Sequence, residues 1–87
     1  MKTYLFEFKS STVFFHPECR DRKNWTMQKG TNEPKFKELN TYIGERSATA
    51  YIKIIHAERP EEFFIRKIRH VCFFDGYYCI TWEPDPC

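Results

Sequence analysis

The run EEFFIRKIRHVCFF, residues 61–74, sets Phe63, Arg66, Lys67 and His70 at intervals of i, i+3, i+4 and i+7. On a helix these four residues form one stripe, an aromatic ring set among cationic and titratable groups. Such a ring can stack on a nucleobase while the neighbouring cations neutralise phosphates. A second segment, CRDRKNWTMQK (19–29), repeats the combination with Arg20, Arg22, Lys23, Trp25 and Lys29. A basic loop bearing an aromatic suits single-stranded RNA, whose bases splay out onto rings. Each segment also has a plainer account. Cations in the last turn of a helix complement its dipole, Phe63 can pack under a neighbouring loop, and Trp25 can fold into the core. Taken together, the two segments favour nucleic acid, with single-stranded RNA as the expected partner.

Other chemistries find less support. His16, Cys19, Cys72 and Cys79 could supply four zinc ligands, but HPEC is one close pair and no Cys-x-x-Cys knuckle accompanies it, so no metal and no cofactor are expected. With Asp75-Gly76 as a hairpin turn, Cys72 falls opposite Cys79 at a hydrogen-bonded position. That separation admits a disulfide. A reducing compartment favours two small buried thiols instead. No Gly-rich phosphate loop, Gly-x-Ser-x-Gly or His-Glu-x-x-His occurs. His16, His56 and His70 are scattered, and His56 shares a strand face with Ile52 and Ile54, where a hydrogen-bonded structural histidine is expected. The chain is therefore read as a non-enzyme.

The elements that must position these residues follow from periodicity. TYLFEFK alternates, with Tyr4, Phe6 and Phe8 on one face and Thr3, Leu5, Glu7 and Lys9 on the other, which is a half-buried strand. STVFF either continues it or returns as a hairpin. Residues 16–33 are polar and read as a long loop, with a short strand around residues 25–28. EPKFKELNTYIGER reads as a helix, with Pro34 in its first turn and Gly44 as a left-handed terminator. TAYIKII is a β-branched strand. A second helix is expected from about Pro60 to His70, burying Phe64, Ile65, Ile68 and Val71 in one arc. VCFFDGYYCITW is a hairpin about Asp75-Gly76. These elements predict an α+β fold, a mainly antiparallel sheet with two helices packed on one face.

Eighty-seven residues suit a single domain, 1–87, at the small end of what folds alone. Nine Phe, five Tyr and two Trp are many for that length, and most should be core, since each can bury roughly 150–250 Å². A formal charge of +2 is too small to demand a polyanion, but basic residues gather in 20–37 and 66–69, so the balance conceals local positive patches. The opening MKTYLFEFKS lacks the apolar run of a signal peptide, and nothing approaches about 18 consecutive apolar residues, so no membrane span is expected. A cytoplasmic protein with reduced cysteines is the corresponding expectation.

The start MKTYLFEFK, the small size and the Lys- and aromatic-rich composition resemble the small accessory proteins of T-even-type phages. Within that group the chain is similar in style to the RNA-binding inhibitor of a type III toxin–antitoxin ribonuclease toxin. The resemblance implies a factor that redirects or disables host machinery in the bacterial cytoplasm, holding toxin and RNA in an inactive assembly. It carries no diagnostic motif, so the candidate site residues rest on the two segments above. The resulting expectation is a non-enzymatic RNA-binding phage factor that counters a host defence or toxin ribonuclease, and a homodimer is compatible with it. The alternative is an inhibitor that docks directly onto a host enzyme without nucleic acid, with Phe63, Trp25 and a neighbouring arginine as hot spots.

Overall fold

Tyr4, Phe6 and Phe8 are buried and Leu5, Glu7 and Lys9 face solvent, so the first strand, β1 (Thr3–Ser10), carries the alternation its sequence shows. The computed structural model describes residues 2–20, 22–45 and 47–84. The elements that follow are α1 (Thr12–Cys19), β2 (Trp25–Lys29), α2 (Pro34–Ile43), β3 (Thr49–His56), β4 (Phe63–Phe74) and β5 (Tyr77–Trp82). They form an α+β fold around one five-stranded sheet in the order β1-β3-β4-β5-β2. The sheet is mixed rather than mainly antiparallel. β3 lies parallel to β1, while β3–β4, β4–β5 and β5–β2 are antiparallel. The parallel pair is a consequence of connectivity. Between β1 and β3 the chain crosses to the far edge as β2 and returns through α2, and only such a long crossover can bring two strands side by side in one direction.

The largest departure from the sequence reading is residues 63–74, which form a strand and not a helix. Phe64, Ile68 and Val71 are buried at spacings of four and three, which imitates a helical stripe. The cause is a β-bulge between Ile68 and His70, where the pairing jumps from Ile68↔Trp82 to His70↔Thr81. One extra residue flips the alternation, so Ile68 and Val71 both point inward although they are three apart. Ile65, placed in the buried arc by a helical phase, is instead 46% exposed. β3 supplies the strand partner for the first half of β4, from Ile55↔Phe63 to Tyr51↔Lys67, and a β-branched, aromatic run suits that ladder.

Other elements match more closely or differ for local reasons. The hairpin turn is Asp75-Gly76, with φ of 53° and 81°, the doubly left-handed geometry of a two-residue turn, and Cys72 pairs with Cys79. Pro34 opens α2, but Gly44 at its end has φ −81° and is not left-handed. The short strand near residues 25–28 extends to Lys29. Residues 12–19, read partly as strand and partly as loop, are α1. It contains Pro17 and turns only Phe15 and Glu18 inward, so no apolar stripe advertises it.

One core joins these pieces. Phe15 of α1 meets His56 and Phe64 at ring separations of 5.0 and 5.5 Å, and Phe36 of α2 meets Phe8 and Tyr78 at 6.1 and 5.4 Å. Tyr78 also donates its hydroxyl to Asn40 at 2.7 Å. Trp82, Phe6, Ile52, Ile54 and Ile80 are among the fully buried sheet residues around which these contacts assemble. The bulge makes a direct test available. Ile68→Ala should cost about 2–5 kcal/mol, whereas Ile65→Thr should stay within about 1 kcal/mol because it removes an exposed side chain and keeps a β-branched one. Urea denaturation of both variants reads the difference, and equal large losses would restore the helical phase.

Candidate nucleic-acid interface

Alternation along each strand decides which side chains leave the core. On β1, β3 and the first half of β4 the outward rows are Leu5–Tyr51–Lys67, Glu7–Lys53–Ile65 and Lys9–Ile55–Phe63. Across the second half of β4, β5 and β2 they are His70–Thr81–Trp25, Cys72–Cys79–Met27 and Phe74–Tyr77–Lys29. A sheet face turned to water is ordinarily polar. This one instead exposes Tyr51, Phe63, Trp25, Phe74 and Tyr77 among lysines.

The helical stripe of Phe63, Arg66, Lys67 and His70 does not exist. In a strand seven residues span roughly 23 Å, against about 10 Å in a helix, so these four are spread along β4. Phe63 and Lys67 face outward on one side of the bulge and His70 on the other. Arg66 points the opposite way. Its guanidinium donates to the Cys19 carbonyl at 3.0 Å and to the Ile65 carbonyl at 3.0 Å, and lies 4.9 Å from the Phe64 ring. A cation on the last carbonyl of α1 satisfies an orphan acceptor and the negative end of the helix dipole. Phe63 is 49% exposed, with Lys53 Nζ 4.3 Å from its ring centre.

The loop residues divide in the same manner. Lys23 donates to Glu18 at 2.6 Å, and Glu18 also accepts from Ser10 at 2.7 Å. Glu18 is buried, so Lys23 neutralises a carboxylate taken out of water. The same ammonium lies 4.5 Å from the Trp25 ring centre and 5.2 Å from that of Phe14. Trp25 itself is 45% exposed and shares an outward row with His70, which brings one residue from each predicted segment onto a common patch. Arg20, Arg22 and Lys29 are exposed.

Among the described residues, two of the surface hollows involve the side chains singled out above. The larger, about 530 Å³, is lined by Tyr51, Ile65, Lys67, Arg69 and Arg66, with Glu83 and Pro84 beside them. It combines an exposed ring, an apolar strip and three cations against one carboxylate. The smaller, about 250 Å³, lies where Phe14, Glu18, Lys23, Trp25 and Met27 meet Lys9 and Ser10 of β1. Lys67 and Arg66 thus line one hollow, and Lys23 and Trp25 the other. Tyr51, Arg69 and Lys53 are the residues that sequence reasoning did not single out. For Tyr51 the signal was present, since it holds the outward side of an apolar strand where a polar residue is usual.

His56 plays a structural part. It is buried, and its Nδ1 accepts the backbone N–H groups of Glu58 and Arg59 at 3.1 Å each, so the ring proton sits on Nε2 and is donated to Thr12 Oγ1 at 3.2 Å. Among the described residues no three His, Cys, Asp or Glu side chains gather as a metal site, and no helix is long and apolar enough to cross a membrane. The chain matches no protein-family model and no curated protein.

The Glu18 pair gives a clear expectation. Lys23→Ala leaves a buried carboxylate unpaired and should cost about 3 kcal/mol, enough to lower Tm by more than roughly 10 °C in a domain of this size. Arg20→Ala and Arg22→Ala, both exposed, should each shift it by less than about 0.5 kcal/mol. Thermal melts of the three variants check this, and a neutral Lys23→Ala would show that Glu18 needs no partner.

Proposed function

We propose that this protein binds single-stranded RNA without catalysing a reaction, using the outward face of its sheet. The observation that carries the reading is the exposure of Tyr51 beside Lys67 and Arg69 in one hollow, with Phe63 two rows along the same face. Rings presented on a sheet surface stack splayed bases, and the adjoining cations meet the phosphates between them. Trp25, with His70 in its row, offers a further stacking position beyond the bulge, and Arg20, Arg22 and Lys29 extend the positive field around it. Arg66 and Lys23 support the surface by fixing the end of α1 and the buried Glu18.

In its fuller form, the reading is that of a phage accessory factor in the bacterial cytoplasm that counters a defence or toxin ribonuclease. It would hold the RNA on which such a ribonuclease depends, as a monomer or as a homodimer. The resemblance of the sequence to small phage proteins supports that step. A second reading has its own observation. Leu5, Ile65 and Tyr51 lie close together on adjacent strands and are all exposed, an apolar strip suited to a protein partner such as a host enzyme.

Salt separates the two. RNA affinity should fall steeply with ionic strength, and Lys67→Ala should flatten the slope of log K against log salt by about 0.7. Tyr51→Ala should weaken binding by about 1–3 kcal/mol, roughly ten- to a hundredfold, with an almost unchanged slope. Fluorescence anisotropy with a labelled single-stranded oligoribonucleotide measures both. Absence of RNA binding at low salt, with copurification of a protein partner that withstands high salt, would favour direct docking.

A further inference from the structure

Cys72 and Cys79 sit directly opposite each other on the outward face of β4 and β5. Both are free thiols. Cys72 is exposed and Cys79 half-buried, so the expectation of two buried thiols holds for neither in full. The type of pair can be read from the neighbouring ladder. Trp82 N donates to Asn24 O, and Gly30 N to Gly76 O, so the even-numbered backbone groups of β5 turn towards β2. The odd-numbered groups, Cys79 among them, therefore turn towards β4, and Cys72 and Cys79 form a hydrogen-bonded pair.

That register decides what the two sulfurs can do. Cα atoms of a hydrogen-bonded pair lie about 5.5 Å apart, inside the range of about 4.4–6.8 Å that a disulfide spans. Their Cβ atoms start about 4.5–5.5 Å apart and must draw in to about 3.8 Å. The bond can close, but only by pulling two strands together against their own ladder. Strain of this kind makes a disulfide easier to reduce, and exposed, strained disulfides are the labile ones.

We propose that Cys72 and Cys79 are a reversible oxidation site, closing to a cross-strand disulfide by exchange with a small-molecule disulfide such as oxidised glutathione. Cys72, the exposed thiol, attacks first as its thiolate, breaking the glutathione S–S bond and releasing one glutathione thiolate. Cys79 then attacks the Cys72 sulfur and releases the second. The protein loses two electrons and two protons, and one oxidised glutathione becomes two reduced ones. The order has a second support. Burial, together with the neighbouring Cys72 sulfur, holds the Cys79 thiol above its ordinary range, so it is the poorer first nucleophile. Met27 flanks Cys79 in the same row, and the closed bond would lie between the His70–Thr81 and Phe74–Tyr77 pairs on the face exposed to solvent. The proposal does not depend on RNA binding.

The test uses the full chain with Cys19→Ala and Cys87→Ala, equilibrated in glutathione buffers of graded ratio, quenched by alkylation and mapped by mass spectrometry. Excess oxidised glutathione should remove two hydrogens and link the peptides carrying Cys72 and Cys79, and excess reduced glutathione should restore both thiols. Adding Cys79→Ser should leave one glutathione held at Cys72. Two alkylatable thiols at every ratio, a bond joining two chains instead, a disulfide that resists excess reduced glutathione, or a Cys79→Ser protein that takes up no glutathione would each overturn the proposal.

Discussion

The structure depends on one strand serving two neighbours. β4 pairs with β3 through residues 63–67 and with β5 through residues 68–74, and the bulge between Ile68 and His70 is where it changes partner. A bulge bends a strand and increases its twist, and here it also corrects the phase so that both halves aim apolar residues at one core. Without the extra residue, every inward side chain beyond Ile68 would turn to solvent, because strand periodicity is two. Val71 would leave the core and its partner Ile80 would lose its neighbour.

α1 is held by polar ties as much as by apolar area. Phe15 is its buried hydrophobic, and around it Glu18 is tied to Ser10 and Lys23, the Cys19 carbonyl to Arg66, and Thr12 to His56. Buried polar groups are costly unless every partner is present, so these ties fix the place of the helix closely. They also alter the meaning of two cations. Lys23 and Arg66 belong to clusters that look like phosphate ligands in sequence, yet their charges are committed to a carboxylate and to a helix end.

What remains on the outside is a sheet face with rings and lysines in register. Exposed apolar residues are common singly, but here Leu5, Tyr51 and Ile65 lie on three consecutive strands, with Lys53, Lys67 and Phe63 among them. Lys53 shows how the face partly satisfies itself, lying 3.9 Å from Glu7 and 4.3 Å from the Phe63 ring centre. A polyanion bearing bases would replace such weak, solvent-screened contacts with stacking and phosphate neutralisation. That exchange is the physical basis of the RNA reading, and the apolar strip is the basis of its competitor.

Local pattern was enough for β1, α2, β3 and the closing hairpin. Tyr4, Phe6 and Phe8 alternate without interruption, Pro34 marks a helix start, and Asp75-Gly76 specifies both turn and register, so Cys72 could be set opposite Cys79 from sequence alone. It also sufficed to mark Phe63, Lys67 and Trp25 as exposed side chains, although for Phe63 and Lys67 through the wrong element. Three features were decided only in the folded chain. The parallel β1–β3 pair depends on where a long crossover lands, which no local residue encodes. α1 is stabilised by partners distant in sequence and shows no stripe of its own. β4 looks helical in sequence because a bulge turns a period of two into apparent spacings of four and three, and only the partner strands β3 and β5 distinguish that from a helix. Periodicity reports which residues are buried; what they are buried against is a property of the tertiary structure.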